Sequence, residues 1–361
     1  MKKMTLGCLA LFMASGCKIA RPEADSLELS KATAQNRNHC SITDDAFEPD
    51  SRFPQSTAKG AEGRCIDTRT ARPIVVLNSA QAKEYGYDDT ENKVVLANVT
   101  HRNKFYVAAI PIAVGDIASV IFQQENFESN LIPAAHGQIR LDFAKPVVLT
   151  PQKRSPHEAK IETKQLLLSM EALGEAGAQF DVIKGLQNEY MGVWRIKTLT
   201  DFAVRMDKMR KKDPAHPTGP GKIPTVKQYL LEFEKYPEKR IAILKNWIRK
   251  STERQLSVPY NTITSSCAME AMNLIESVRP SNGTPDDDKK IDDFFSGFRK
   301  QMAQNLERAK DAVLRFDGNV STPFEIYPIF SRQALMTRGL FEKELPELGD
   351  DPIFQNLLEL K

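Results

Sequence analysis

Between Pro73 and Thr150 the chain is written as one strand after another, and this constrains its fold more than any other feature. Ile74–Leu77, Val94–Val99, Phe105–Ile110 and Ile117–Phe122 are β-branched or aromatic runs bounded by turn residues. In His136–Phe143, Ile139, Leu141 and Phe143 alternate with polar residues, which predicts a strand with one buried face. His136 then stands at the rim of that strand, sharing a face with Gln138, Arg140 and Asp142. A further short strand is expected at Val147–Leu149, after Pro146. From Thr163 the apolar period turns helical: Leu166, Leu167, Met170 and Leu173 space as one face, and Phe202, Met206 and Met209 as another. Helices are expected to resume at Thr225, pause near Pro237, and continue with Ile241, Leu244 and Ile248 on one apolar face. Thr284-Pro285-Asp286-Asp287-Asp288 is a strong helix start, with a cap, a proline at the first position and acids at the positive end of the dipole. Strands first and helices afterwards predict an α+β fold, an antiparallel sheet with helices packed on it.

The N-terminus sets an expected compartment. Lys2 and Lys3 precede a short apolar run, Leu6–Met13, which is too short to span a bilayer and reads as a secretory signal. Ala14-Ser15-Gly16-Cys17 resembles a lipobox, with Ala14 where leucine is usual. That resemblance implies cleavage before Cys17 and lipidation of Cys17, a membrane anchor of two or three acyl chains. Lys18 in place of aspartate favours the outer membrane, facing the periplasm of a bacterial envelope. The expected division is a signal at 1–16, a lipid-anchored spacer at 17–65, a domain at 66–345 with helical elaboration, and a tail at 346–361. The net charge of +3 is too small, and the basic residues too scattered, to argue for a nucleic-acid partner.

Five cysteines narrow the chemistry. Cys8 and Cys17 belong to the signal; Cys40 and Cys65 can pair in an oxidising compartment, worth roughly 3 kcal/mol on the chain-entropy model. Cys267 is left over, and an odd thiol in an exported protein is flagged as reactive. Asn261–Ser266 is polar and turn-like, and Ala268, Ala271, Met272, Ile275 and Val278 then recur at helical spacing. Ser265 or Ser266 can cap that helix, which puts Cys267 in its first turn, where the dipole and backbone N–H groups stabilise a thiolate and a neighbouring oxyanion. A small buried hydrophobe opening a core helix is the competing reading of the same spacing. Among the five histidines, His39 lies in the spacer, His216 in the Pro/Gly-rich loop from Asp213 to Pro224, His157 after a basic turn and His101 in a hairpin turn. His136 alone heads a half-buried strand and is the candidate base. No His/Cys/acid spacing suits a metal, and no phosphate-cradling glycine loop is present, so neither metal nor cofactor is expected.

Asn130–Phe143 and Tyr260–Ala268, with a weaker match at Ser321–Phe324 and Tyr327–Leu335, resemble the Lnb N-terminal periplasmic domain family. The resemblance spans about Pro73–Leu340 and implies a circularly permuted, papain-like fold of the NlpC and lecithin:retinol acyltransferase kind. In such folds the catalytic histidine precedes the cysteine, starts a strand and faces a cysteine at a helix N-terminus, the order of His136 and Cys267. The family pattern has asparagine before the cysteine and glycine before the histidine, where this chain has Ser266 and Ala135. The third catalytic member is expected on the next strand, with Gln152 and Thr150 the candidates by position. Gln138 and Asp142 could support the histidine from its own strand. Tyr260 either donates to the oxyanion or is a core aromatic. The implied activity is thiol-based acyl transfer or hydrolysis on a lipid or lipoprotein acyl group. Peptidase or amidase action on cell-wall peptides, or a non-catalytic envelope lipoprotein, are the alternatives.

Overall fold

A computed structural model describes residues 40, 45–54, 61–127, 134–153, 159–178, 180, 184–185, 187–212, 225–233, 235–261, 265–278, 332, 335–336 and 339–359. The signal with Cys17, His39, the loop at 213–224, the helix start at 284–288 and the match at 321–331 lie outside the described residues.

In chain order the elements are β1 (Val75–Val76), α1 (Ser79–Glu84), β2 (Lys93–His101), β3 (Lys104–Pro111), β4 (Ile117–Phe127), β5 (Ala134–Pro151), β6 (Ile161–Leu173), β7 (Tyr190–Thr198), α2 (Leu199–Lys212), β8 (Val226–Leu231), α3 (Pro237–Arg254), β9 (Pro259–Tyr260), α4 (Cys267–Glu276), β10 (Phe341–Leu345) and α5 (Pro352–Glu359). All ten strands join one sheet, which makes the fold α+β. Within it β2, β3, β5, β6 and β7 close a five-strand ring. A parallel pairing of Thr100 with Lys197 completes the closure among otherwise antiparallel ladders.

β5 is the strand that everything else is built around. Its first half lies between β4 and β6, and its second half between β3 and β6. The ladder to β6 is irregular between Asp142 and Val147, which lets the strand bend from the open sheet into the ring. The two strands expected on either side of Pro146 are therefore one. Pro146 is tolerated there because no hydrogen-bonded partner is required of it at the irregularity. The β2–β3 hairpin turns on Arg102 (φ 49°) and Asn103 (φ 60°), both left-handed as a two-residue type I′ turn demands. His101 is thereby the last residue of β2 rather than part of the turn.

Two expected helices are strands. Leu166, Leu168 and Met170 of β6 enter the main core, while Leu167 enters a second cluster on the opposite side. A strand buried on both faces reads as an unbroken apolar run, and helix and strand spacing cannot be told apart in it. The segment after Thr225 is β8, sandwiched between β4 and β10, with Val226 turned to the second cluster and Tyr229 and Leu231 to the first.

Helices cover both faces. On one, α4 (Ala271, Leu274, Ile275) packs against β5, and α3 (Ile241, Leu244, Trp247) against β4 and β7, in one core with Ile139, Leu141 and Phe143. Trp247 Nε1 donates to the Arg195 carbonyl at 3.1 Å, tying α3 to β7. On the other face Leu199, Phe202, Ala203 and Met206 of α2 pack with Leu348 and Phe354 of the C-terminal segment. The residues expected as a tail thus belong to the core, and the polar face of β5 is covered, not solvated. Arg140, only 2% exposed, is satisfied there by Asp142 at 2.7 Å and by Asp351 at 2.6 Å. Parts of the expected spacer are likewise packed on the domain. Phe53 is buried with Ile66, Met191 and Leu256, and Asp45 pairs with buried Arg72 at 2.7 Å. Cys40 and Cys65 stand at disulfide distance, with their Cα atoms 5.2 Å apart.

Candidate active site

Cys267 is the first residue of α4 and the free cysteine among the described residues. Ser266 is the N-cap: its Oγ accepts the Met269 N–H at 3.4 Å, and its carbonyl accepts the Glu270 N–H at 2.9 Å. The Cys267 and Ala268 amides of that first turn have no intrahelical acceptor.

Gly137 is what lets the sheet approach the helix. A Cβ built there would stand 2.6 Å from the Ala268 Cα, backbone against backbone, so only glycine allows β5 and the start of α4 to touch. That contact places His136, the preceding residue, against the thiol. The imidazole and the Gly137 N–H stand close enough to the Cys267 sulfur to favour its thiolate, and the Tyr260 hydroxyl lies 3.9 Å from it.

The electrostatics follow from this packing. Burial alone pushes the Cys267 thiol up, but the facing imidazole and these polar neighbours outweigh it and bring the thiol below its ordinary value. Burial likewise opposes charge on His136, but the Cys267 sulfur first and Glu171 second raise the imidazole above its ordinary 6.5. The two opposite shifts bring thiol and imidazole closer in proton affinity, which eases transfer of the thiol proton to the ring. Tyr260 moves the other way: burial and the adjoining sulfur hold its phenol well above 10.0, so it remains a donor to the thiolate. Its ring is also a core aromatic, edge-on to Phe180 with centroids 5.8 Å apart. Of the two roles weighed for Tyr260 the structure shows the core aromatic, with its hydroxyl turned to the Cys267 sulfur.

Behind the histidine runs a chain of hydrogen bonds that the sequence reading missed. His136 Nε2 bonds Ser169 Oγ at 2.8 Å, Ser169 Oγ donates to Glu171 Oε1 at 2.9 Å, and Lys197 Nζ donates to the same oxygen at 3.1 Å. Burial would raise Glu171, but Lys197, then His136, Arg195 and Arg205, hold its carboxyl well below the usual range. The signal was present in β6, where Ser169 and Glu171 stand two apart. Read as a strand, that spacing puts both on one face; read as a helix, it separates them.

Gln152 and Thr150 are elsewhere, which corrects the expected third member. Gln152 accepts the Asn98 N–H at 2.8 Å and donates to Asp45, and Thr150 bonds the Tyr87 hydroxyl at 2.8 Å. Thr150 lies at the far end of the strand that carries His136 near its start, and Gln152 just beyond it, because β5 does not end at Pro146. The true neighbouring strand is β6. Gln138 is buried beside Gln123, to which its amide donates at 2.9 Å, and Asp142 is engaged by Arg140. Neither touches the pair. Among the described residues no group of three or more His, Cys, Asp or Glu side chains is arranged to hold a metal. No helix among them is long and apolar enough to cross a membrane.

Comparisons of the chain with protein-family models, with curated proteins and with solved structures return no match.

Proposed function

We propose that this protein is a thiol acyl-transfer enzyme of the bacterial envelope, related to the Lnb N-terminal periplasmic domains and through them to permuted papain-like folds. The observation that carries the reading is a buried cysteine at a helix N-terminus, lowered by an imidazole that is itself raised by the sulfur.

In this reading the Cys267 proton passes to His136, and the thiolate attacks an acyl carbonyl carbon. A C–S bond forms while the carbonyl π electrons move to oxygen. The Cys267 and Ala268 amides receive that oxyanion, at a dipole end that favours negative charge. Collapse expels the leaving alcohol, thiol or amine, which takes the proton from the His136 imidazolium, and a thioester remains on Cys267. An incoming amine or water gives its proton to His136, attacks the thioester and frees the sulfur. A lipid at Cys17 would hold the domain at a membrane surface, where acyl donors are lipids or lipoproteins and no diffusing cofactor is required.

The test is intact-mass analysis of the full chain in detergent after incubation with diacyl phospholipid, a short-chain acyl thioester and a cell-wall peptide. An acyl mass on Cys267, absent from Cys267→Ala and slowed in His136→Ala, is expected from the lipid and the thioester. Cleavage of the peptide with no acyl adduct from either ester would replace this reading with a peptidase.

A further inference from the structure

We infer that Ser169 is a one-way hydrogen-bond relay that holds His136 in its Nε2–H tautomer, with Glu171 and Lys197 setting its direction. These three are positioning residues; the inference rests on the reading of Cys267 and His136 as a catalytic pair.

The argument is one of counting protons. A serine hydroxyl has a single hydrogen to donate and two lone pairs with which to accept. Ser169 Oγ has two partners, Glu171 Oε1 and His136 Nε2, and is fully buried. An ionised carboxylate can only accept, so the hydroxyl hydrogen goes to Glu171. Ser169 must then accept from His136, and Nε2 carries the hydrogen. Neutral His136 is left with its lone pair on Nδ1, the nitrogen that remains for the thiol. Deprotonating Cys267 moves one proton from Sγ to Nδ1 and leaves the Nε2–H bond to Ser169 in place throughout.

The direction depends on residue 171 turning to Ser169 an oxygen that can only accept, as ionised Glu171 does. Lys197 donates to it, and Arg195 and Arg205 lie close enough to lower its carboxyl further. The other charged neighbours do not compete. Glu125, opposite His136 in the β4–β5 register, is taken by Arg205 of α2 at 2.7 Å, and Asp201 of α2 is taken by Arg195 of β7 at 3.2 Å. From the helix side His136 meets the Cys267 sulfur, with Tyr260 of β9 bonded to that same sulfur. Without Glu171 the hydroxyl could turn round and donate to Nε2, which would put the imidazole hydrogen on Nδ1, the wrong nitrogen for a base.

The experiment is ring ¹⁵N NMR of the full chain in detergent, labelled at histidine, with His136 assigned by His136→Gln. In the wild type the Nε2–H tautomer is expected above the imidazolium midpoint. Ser169→Ala is expected to give mixed tautomers and a midpoint lower by about one pH unit, the size of effect that a lost hydrogen bond and a loosened charge partner produce. Ser169→Thr, which keeps the hydroxyl, is expected to restore both. Glu171→Gln has nearly the same shape. It is expected to lower the midpoint while keeping the tautomer, because its carbonyl oxygen still faces Lys197 and Ser169. A wild-type Nδ1–H tautomer, or an unmoved tautomer and midpoint in Ser169→Ala, would overturn the relay. If Ser169→Ala does not fold, an unmoved midpoint in Glu171→Gln overturns it. A shifted midpoint with no acyl adduct from any donor would instead leave the relay standing and remove the acyl-transfer reading.

Discussion

Among the described residues two histidines are buried against two hydroxyls, and the protein makes opposite things of them. His136 bonds Ser169 Oγ at 2.8 Å, and His101 bonds Thr198 Oγ1 at 2.9 Å. Their charge preferences diverge: the first imidazole is raised, the second lowered to about 4. Burial disfavours the cation at both, so burial is not the difference. At His136 a sulfur that can ionise faces the ring and a carboxylate backs its serine. At His101 burial outweighs the pull of Asp201, a carboxylate it shares with Arg195, and Arg102 adds to the cost. The hydroxyls differ too. Thr198 Oγ1 accepts the Asp201 N–H at 3.0 Å, so its own hydrogen is free for His101 Nδ1. Ser169 gives its hydrogen away and receives one. A buried histidine becomes a base through its charge partners and the direction of its hydrogen bonds, not through its depth.

Replacing each histidine separates these roles, and the largest effect is expected at His136. His136→Ala should slow iodoacetamide labelling of Cys267 at pH 7 by on the order of 10²-fold or more, as loss of a positioned base commonly does. His101→Ala should leave the labelling rate within about twofold of the wild type. Equal losses in the two variants would mean that the thiol responds to general loosening of the sheet and not to its partner.

The next effect is on stability, and it has opposite signs at the two rings. His101 has a folded pKa of about 4, below its ordinary 6.5. Above pH 6.5 neither the folded nor the unfolded state binds the proton. Between pH 6.5 and about 4 the unfolded chain binds it and the folded protein does not, so stability falls as the pH falls. The full loss is about 3 kcal/mol, from about 2.5 pKa units at 1.36 kcal/mol each. His136, being raised, contributes stability that is fully present below 6.5 and lost as the pH rises through its folded pKa. Urea unfolding from pH 7 to pH 4 should therefore show a decline that His101→Gln flattens. An unchanged slope in that variant would show that the acid sensitivity arises elsewhere.

The same contrast explains what could be read from the sequence. The cysteine, its cap and the histidine were legible because each is a local event: a polar turn before helical spacing, and period-two alternation at a strand head. The ring closure and the members behind His136 were not. β6 is buried on both faces, so its apolar run matched a helix, and with the wrong period Ser169 and Glu171 fell on different sides. The polar face of β5 looked solvated because its cover, Asp351 and the helix after it, comes from more than two hundred residues later in the chain. Pro146 looked like a strand end because its neighbours did not reveal that β5 bends there and changes partners. Each failure is a tertiary contact overriding a local pattern.

Glycines give a third comparison, with an intermediate effect. Both Gly137 and Gly192 lack room for a Cβ, but the obstacles differ. At Gly192 it is the Cε end of Met170, a flexible side chain that can move aside. At Gly137 it is the backbone of Ala268, so α4 itself must shift. Gly137→Ala should cost about 1–3 kcal/mol, as overpacking does, and should also slow Cys267 labelling because the thiol moves with its helix. Gly192→Ala should cost less and leave labelling unchanged. If Gly137→Ala lost stability but kept a fully reactive thiol, the glycine contact would be packing alone and not part of how the pair is aligned.

The smallest expected effect compares two helix starts. α1 has a complete capping box: Asn78 Oδ1 accepts the Gln81 N–H at 3.0 Å, and Gln81 Oε1 accepts the Asn78 N–H at 3.1 Å. Ser266 makes a single, longer bond to the Met269 N–H at 3.4 Å. Ser266→Ala should therefore cost only about 0.5–1 kcal/mol by thermal denaturation, at the low end for a lost cap. The thiol is lowered mainly by His136, and the proposed oxyanion donors are backbone amides that the substitution leaves in place, so labelling should fall by less than about tenfold. Ser266→Asn should restore stability, since asparagine caps as well as serine does. A labelling loss as large as that of His136→Ala would give the Ser266 hydroxyl a direct part in the chemistry. In that case its bond to Met269 is only its resting arrangement, and the residue before the cysteine is selected for reaction and not merely for starting the helix.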